Sequence, residues 1–449
     1  MPRPEPPELA HLRPSRQART NRHPVLIGQT LSLLGDYIAY FTLPWLVLEI
    51  TGQGSDLGLI AFSETVPVLL FGFTAGVILD RYPIRAVLIG ADLVRALVFA
   101  SLAAAVALDV VRPGMLFAGA FVFGSMTVVF DAGLQAMLPN VVASVDLVVV
   151  NSRLSLARTL SFAVGPALGG LIVAYGGGFA TALGVDAATF LISAVLLTRV
   201  HELHSVTKLS GRSGFRFSLG RGLRFLARNP HLRWATAGAA MANLVFAPLE
   251  ALLVLFVDER IAGMAAVPAM FEWLFSGAAE VGLFIGLQAA IGSLGVVMAP
   301  RLAKRFSLGR IYVVGILMLG AGFAVVALMN SFWAVVPAGV AAAGVGWVNV
   351  AFVTMRQQIT PEPLLGRVTA ASRTISYFLI PLGAAVGGFA ADAFGLVPVY
   401  LAGPVAILAT AALLMFTPLW WAPVPDAPHP DWASEAMQSA GLPRRPSRR

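Results

Sequence analysis

The sequence predicts an all-α membrane protein with twelve transmembrane helices in two pseudo-symmetric six-helix bundles. Three observations predict it. The 449 residues are 57% hydrophobic and only 12% charged, where soluble domains run at roughly 45–50% and about 25%. Twelve apolar runs recur, near 24–50, 55–79, 86–109, 114–138, 152–176, 178–199, 233–257, 278–300, 309–329, 332–355, 368–393 and 396–420. A hydrocarbon core about 30 Å thick takes roughly 20 apolar residues per helix. Finally, Arg158-Thr159-Leu160-Ser161-Phe162 returns as Arg373-Thr374-Ile375-Ser376-Tyr377, 215 residues later (158 to 373), and each copy has a proline eight residues after its arginine, Pro166 and Pro381. Two matched halves of membrane helices are a common plan among proteins that move small molecules across a bilayer.

Taken in order, residues 1–23 form a Pro- and Arg-rich tail with Arg3, Arg13, Arg16, Arg19 and Arg22. The first apolar run is too long for a signal-peptide core and lacks a small-residue cleavage site, so no cleavable leader is expected. Residues 24–199 form the first six-helix bundle, 200–232 a connection, 233–420 the second bundle and 421–449 a Pro- and Arg-rich tail expected to be disordered. In the connection, Phe215, Phe217, Leu223, Phe225 and Leu226 are interleaved with Arg216, Arg221, Arg224 and Arg228, which suits an amphipathic helix on an anionic membrane surface.

The net charge of +8 is unevenly spread. Cations fall in the N-terminal tail, at Arg81 and Arg85, in the 200–232 connection, at Arg301, Lys304, Arg305 and Arg310, at Arg356 and Arg367, and in the last residues. The alternate loops hold only Arg112 and Arg260. By the positive-inside rule both termini and the connection are cytoplasmic, which requires an even helix count. The expected location is the bacterial inner (plasma) membrane. Because the arginines flank helices, no nucleic-acid partner is expected. With zero cysteines there is no disulfide, thiolate metal site or cysteine nucleophile. His201-Glu202-Leu203-His204 lacks the i, i+4 spacing of a zinc protease. No phosphate-binding loop is present, so the chain is expected to be no enzyme and to need no cofactor or metal.

Between the second and third runs stands Gly76-Val-Ile-Leu-Asp80-Arg81-Tyr-Pro83-Ile-Arg85. It resembles the G-x-L-x-D-R-x-G-R-R signature of the major facilitator superfamily, with Pro83 in place of the usual glycine. In the physical reading Gly76 permits close packing, Asp80 meets a helix N-terminus or an arginine as a latch, and Arg81 and Arg85 hold the boundary. The fifth run adds Ser161-x3-Gly165-Pro166-x2-Gly169-Gly170, similar to the G-P-x-x-G-G motif of proton-coupled exporters. There Gly165-Pro166 should bend the helix and Gly169 and Gly170 admit a close neighbour. Phe130-Asp131-Ala-Gly-Leu-Gln135-Ala-Met-Leu-Pro139, Asn151, Gly35-Asp36 and Leu43-Pro44-Trp45-Leu46-Val47 most resemble the subgroup holding the enterobactin exporter and macrolide or multidrug efflux pumps. The R-x-x-Q-G motif of many drug–proton antiporters is missing, since 114–138 contains no arginine.

The resemblance implies a secondary transporter that exports amphipathic small molecules by proton antiport with alternating access, with protons, lipid bilayer and substrate as partners, acting as a monomer. Ionisable groups at membrane depth are functional candidates by default. Asp36, Glu64, Asp186 and Glu250 are the proton-coupling candidates. Asp131 is expected in a cytoplasmic network with Asp80, Arg81 and nearby arginines, and Asp92 and Arg95 as a structural pair three residues apart. Arg158 and Arg373 occupy matched repeat positions and read as structural. Tyr37, Tyr40, Phe41, Phe246, Met355, Tyr377 and Phe378 are the candidates for an adaptable substrate cavity. Alternatives are an uptake symporter for a polar nutrient, a lipid flippase or a membrane scaffold. The fifth-run motif and a scarcity of membrane arginines able to hold an anion weigh against the symporter.

Overall fold

In the computed structural model, residues 16–72, 74–142, 144–200, 215–261 and 277–422 are described. The arginines of both tails at Arg3, Arg13, Arg444, Arg445, Arg448 and Arg449, and the histidines at 201 and 204, lie outside them. The described chain is almost wholly helical: α1 Arg16–Thr51, α2 Gly54–Phe71, α3 Thr74–Arg81, α4 Ile84–Ala107, α5 Pro113–Val141, α6 Ser144–Tyr175, α7 Gly178–Thr198, α8 Phe215–Arg228, α9 Pro230–Ala251, α10 Leu253–Arg260, α11 Gly277–Ala303, α12 Leu308–Leu328, α13 Val335–Ile359, α14 Glu362–Phe394 and α15 Leu396–Met415. Eleven of these are long and apolar enough to cross a membrane. The bent pair α9–α10 makes a twelfth when it counts as one span.

The chain divides into two compact units. The first holds described residues 16–52, 63–200 and 277–286, and the second 53–62, 215–261 and 287–422. The division follows the sequence halves except at two helix ends. The start of α2 belongs to the second unit and the start of α11 to the first.

In the first unit α1 packs against α6 and α7, and α4 against α5 and α7. Its core includes Val25, Leu88, Phe130, Met137, Val141 and Leu197. The reversal from α6 to α7 is made by Gly176-Gly177-Gly178, with Gly177 and Gly178 at φ +105° and +80°, a region open to glycine at little cost. The second run is broken where the sequence predicts one helix. It ends at Phe71, and α3 begins a separate short helix after Gly72, whose N–H still donates to Val68 O at 3.1 Å.

In the second unit α9 packs against α14 and α15, and α12 against α13 and α15. Asn229 caps α9 by accepting from Leu232 N at 2.9 Å, with Pro230 as first helical residue. Four residues after Pro248 the axis turns by 47° into α10. The Tyr400 hydroxyl donates to the Leu249 carbonyl at this break, supplying a donor where helical pairing is interrupted. The Tyr400 ring stacks on Phe256 at 4.1 Å. The helix α8 forms as the interleaved pattern predicts, and of its apolar side chains Leu223 is exposed. Phe225 and Leu226 are buried, and Gly222 lies against the Arg367 backbone of α14. Elsewhere large apolar side chains such as Leu97, Leu294, Val386 and Phe389 are exposed, the surface expected where the solvent is hydrocarbon.

Candidate functional site

Two polar constellations stand inside these apolar units, and each is built by helix faces. In the first unit Asp36 of α1, Asp92 and Arg95 of α4 and Asp186 of α7 converge. Asp92, Arg95 and Asp186 are at most 1% exposed. The Arg95 guanidinium forms an ion pair with Asp92 one helical turn away, and its Nη1 lies 3.8 Å from Asp36 Oδ1. It is sandwiched between the rings of Phe130 and Phe190, at 4.2 and 4.3 Å from their centroids, a geometry that holds a planar cation in an apolar place. Asp186 lies in the field of both Asp36 and Arg95. A Cβ on Gly35 would collide with the Asp186 carboxylate and the Thr189 hydroxyl, so glycine beside Asp36 is what lets α7 bring its acid to α1. Two carboxylates thus share one guanidinium, and a third, Asp186, is buried beside α1. Sequence spacing finds the Asp92–Arg95 pair, but the joining of α1, α4 and α7 through Arg95 has no signal in local spacing.

In the second unit a cavity of about 350 Å³ opens among α9, α12, α13 and α14. Its walls are helical stripes: Ala242, Asn243 and Phe246 from α9, Asn349, Phe352 and Arg356 from α13, and Arg373, Ser376 and Tyr377 from α14. The spacings of three, four and seven residues keep each set on one helix face. Asn243 Nδ2 donates to Ser376 O at 2.8 Å, tying α9 to α14. Arg356 Nη1 donates to Ser372 Oγ at 3.0 Å. Arg373 lies 5.4 Å from the Tyr377 ring centroid. The expected scarcity of arginines able to hold an anion is therefore corrected. Arg356, read from sequence as a boundary cation, is 8% exposed and lines the cavity, because α13 runs on to Ile359 and carries it inward.

The predicted cavity residues are distributed over both units. Phe246 and Tyr377 line the second-unit cavity. Tyr37 and Tyr40 form an aromatic cluster with Phe162, at centroid distances of 5.2 and 6.3 Å. Phe41 is not open to a cavity. It is fully buried and stacks on Trp45. Met355 is likewise fully buried, next to Arg356 but on the packed side of α13, while Phe378 is 51% exposed, turned off the cavity stripe of α14.

Of the predicted acids, Glu64 is half-buried on α2, its backbone against Gly124, and Glu250 half-buried on α9 near Tyr400. Glu280 of α11 is fully buried and was not among the predicted acids, although an acid in the first turn of an apolar run is a readable signal. Asp131 forms an ion pair with Arg158 at 3.9 Å, both half-exposed. The wider network with Asp80 and Arg81 is absent among the described residues. Those two are exposed at the end of α3, the short helix that follows α2. Gly76 is exposed, and among the described residues nothing lies within 4 Å of its Cβ position, so no close packing is seen there. Arg85 donates from Nε to Leu197 O at 3.0 Å and from Nη2 to Thr198 O, capping the end of α7. In the α6 motif the helix runs unbroken through Pro166. Gly165 sits against Tyr37, Gly169 against Phe41, and Gly170 against Ala278 and Gly282 of α11, the close approach that small residues allow.

A polytopic helical protein with buried charges in one unit and a polar-lined cavity in the other belongs to the class of membrane transporters. The sequence matches the Major Facilitator Superfamily over residues 25–383, and the chain belongs to that family. It is 28% identical to the multidrug efflux pump Tap of Mycolicibacterium fortuitum, over 89% of this chain and 97% of that one. It is 26% identical to Tap of Mycobacterium tuberculosis strain H37Rv, over 89% and 94%. Among solved structures the fold is similar to the nucleoside transporter NupG, with a TM-score of 0.70 at 13% identity, covering 88% of this chain and 98% of that one. It is also similar to a bacterial homologue of the lysosomal transporter Spinster, with a TM-score of 0.68 at 14% identity, covering 95% and 99%.

Proposed function

We propose that this chain is an efflux pump that exports amphipathic small molecules in exchange for protons, by alternating access and as a monomer, with both termini in the cytoplasm. The observation that carries the reading is the first-unit cluster, in which Asp36 and Asp92 lie against one arginine and Asp186 is buried beside Gly35 of α1. Buried carboxylates in excess of their counter-ion are costly at membrane depth, and binding one proton offsets that cost. Asp36 is the member that moves the proton, because its side chain is 23% exposed while Asp92 and Asp186 are sealed. Glu64, Asp186 and Glu250 remain secondary candidates. The relation to Tap supports export of drug-like amphipaths. The sequence holds no phosphate-binding loop, so an ion gradient is the energy source of this reading. One elementary charge crossing 100 mV releases about 2.3 kcal/mol, which sustains roughly a fifty-fold substrate gradient at about 1.4 kcal/mol per decade.

The test is expression in an efflux-deficient bacterium challenged with a panel of amphipathic drugs. Lower intracellular accumulation of at least one compound is expected, with the effect lost when the proton gradient is collapsed. Higher accumulation in expressing cells would make the protein an uptake system instead.

A further inference from the structure

The second-unit cavity holds a charge imbalance of its own. Arg356 and Arg373 both line it, and among the described residues no Asp or Glu does. Neither arginine takes part in an ion pair among the described residues. The charge of Arg373 acts on Arg356, so the two guanidinium groups repel. Arg356 is more than nine-tenths buried, and its Nε finds no acceptor among the described residues. Its contacts are the Ser372 hydroxyl and the Phe352 ring, 5.4 Å away, neither of which carries a negative charge. The last turn of α13 supplies roughly half a negative charge from its free carbonyls. That is too little for two cations. The matched arginine of the first unit shows the contrast: Arg158 meets Asp131, while the stripe of α13 facing Arg373 offers Asn349.

We propose that this cavity binds the anionic end of an amphipathic molecule, a carboxylate, sulfonate or phosphate group. Arg356 and Arg373 receive the anion, with Asn349 beside them as a hydrogen-bond partner. The apolar body lies along Phe246, Phe352 and Leu319. Two guanidinium groups, one of them buried with an unpaired N–H, match the forked geometry of such oxyanions. A cavity of about 350 Å³ suits the polar end of a drug-sized ligand. The proposal rests on the reading of the chain as an exporter of amphipaths and assigns those amphipaths a negative charge. The same oxyanion chemistry could be supplied by a lipid headgroup.

The experiment uses the full chain in phosphatidylcholine nanodiscs and two probes of one skeleton, anilinonaphthalene sulfonate and the uncharged phenylnaphthylamine. Equilibrium dialysis against empty discs gives the ratio of their affinities. We expect this ratio to fall at least tenfold, about 1.4 kcal/mol, in the Arg356→Gln/Arg373→Gln variant. It should recover in part with Arg356→Lys/Arg373→Lys. Phe246→Ala should weaken both probes and leave the ratio unchanged. Should the buried substitution prevent folding, the exposed Arg373→Gln decides alone, with an expected fall of at least threefold. A ratio unmoved by loss of the arginines overturns the proposal. Adding anionic phosphatidylglycerol to the discs, or inorganic phosphate to the buffer, separates the sources. Competition by the lipid assigns the site to a headgroup, competition by phosphate alone to a soluble anion, and either result keeps the anion site. Separately, proton-driven movement of phenylnaphthylamine into inside-out vesicles tests export. Movement with an unmoved ratio leaves the exporter and removes the anion site. No movement with a fallen ratio leaves the anion site and removes the exporter.

Discussion

Arg95 is the residue on which the first unit turns. It touches acids from α1 and α4 and aromatic rings from α5 and α7. Replacing it by Met leaves buried carboxylates without a cation, which costs about 3–5 kcal/mol. Arg95→Met is therefore expected to unfold at markedly lower temperature in detergent. Arg95→Lys keeps the charge but loses the planar stack between Phe130 and Phe190, and should cost about 1–2 kcal/mol. Equal melting temperatures for Lys and wild type would show that the ring sandwich contributes nothing. Glycines make a second pair of residue-scale predictions. Gly35→Ala collides with Asp186 and Thr189, whereas Gly76→Ala meets open space. The first should lose about 1–3 kcal/mol and the second should be near neutral, both read by thermal unfolding. At this scale the sequence was legible in part. Asp36, Asp92, Arg95 and Asp186 all stand out as charges in apolar runs. Their convergence is a matter of which helices pack together, and no local spacing encodes that.

At the scale of elements, length and hydropathy place most helices to within a few residues, because a span of hydrocarbon demands a fixed run of apolar side chains. The breaks were less legible. Pro248 is visible in the seventh run, but the turn comes at Leu252, where Tyr400 supplies the donor from a distant helix. The end of α2 at Phe71, short of the predicted run to 79, likewise places Asp80 on the separate helix α3. Asp392 is a tie of the same long-range kind. Its carboxylate, near the end of α14, accepts from Gly54 N at 2.7 Å and Ser55 N at 2.9 Å, capping the start of α2 across 338 residues of sequence. Charged caps of this sort contribute about 1–2 kcal/mol. Asp392→Ala is expected to lose that much, with Asp392→Asn retaining about half. An unchanged unfolding temperature for Asp392→Ala would mean that water replaces the cap at no cost.

At the scale of the whole molecule, the repeat at Arg158 and Arg373 predicts two related units, and their differences carry the chemistry. The matched positions of the two arginines read as structural in the sequence. Arg158 has an acid partner, while Arg373 faces a cavity without one. The first unit carries an excess of buried carboxylate and the second an excess of guanidinium, a division of charge that composition alone hides within a net +8. On the proposed reading, proton handling belongs to the first constellation and anion recognition to the second. The most direct test of the account is proton countertransport in proteoliposomes made with the purified protein, with a pH-sensitive dye sealed inside. Adding a transported amphipath should dissipate an imposed pH gradient in wild type, with substrate and protons moving in opposite directions, and Asp36→Asn should abolish that coupled flux. Substrate flux that ignores the pH gradient, or coupling that survives Asp36→Asn, would contradict it.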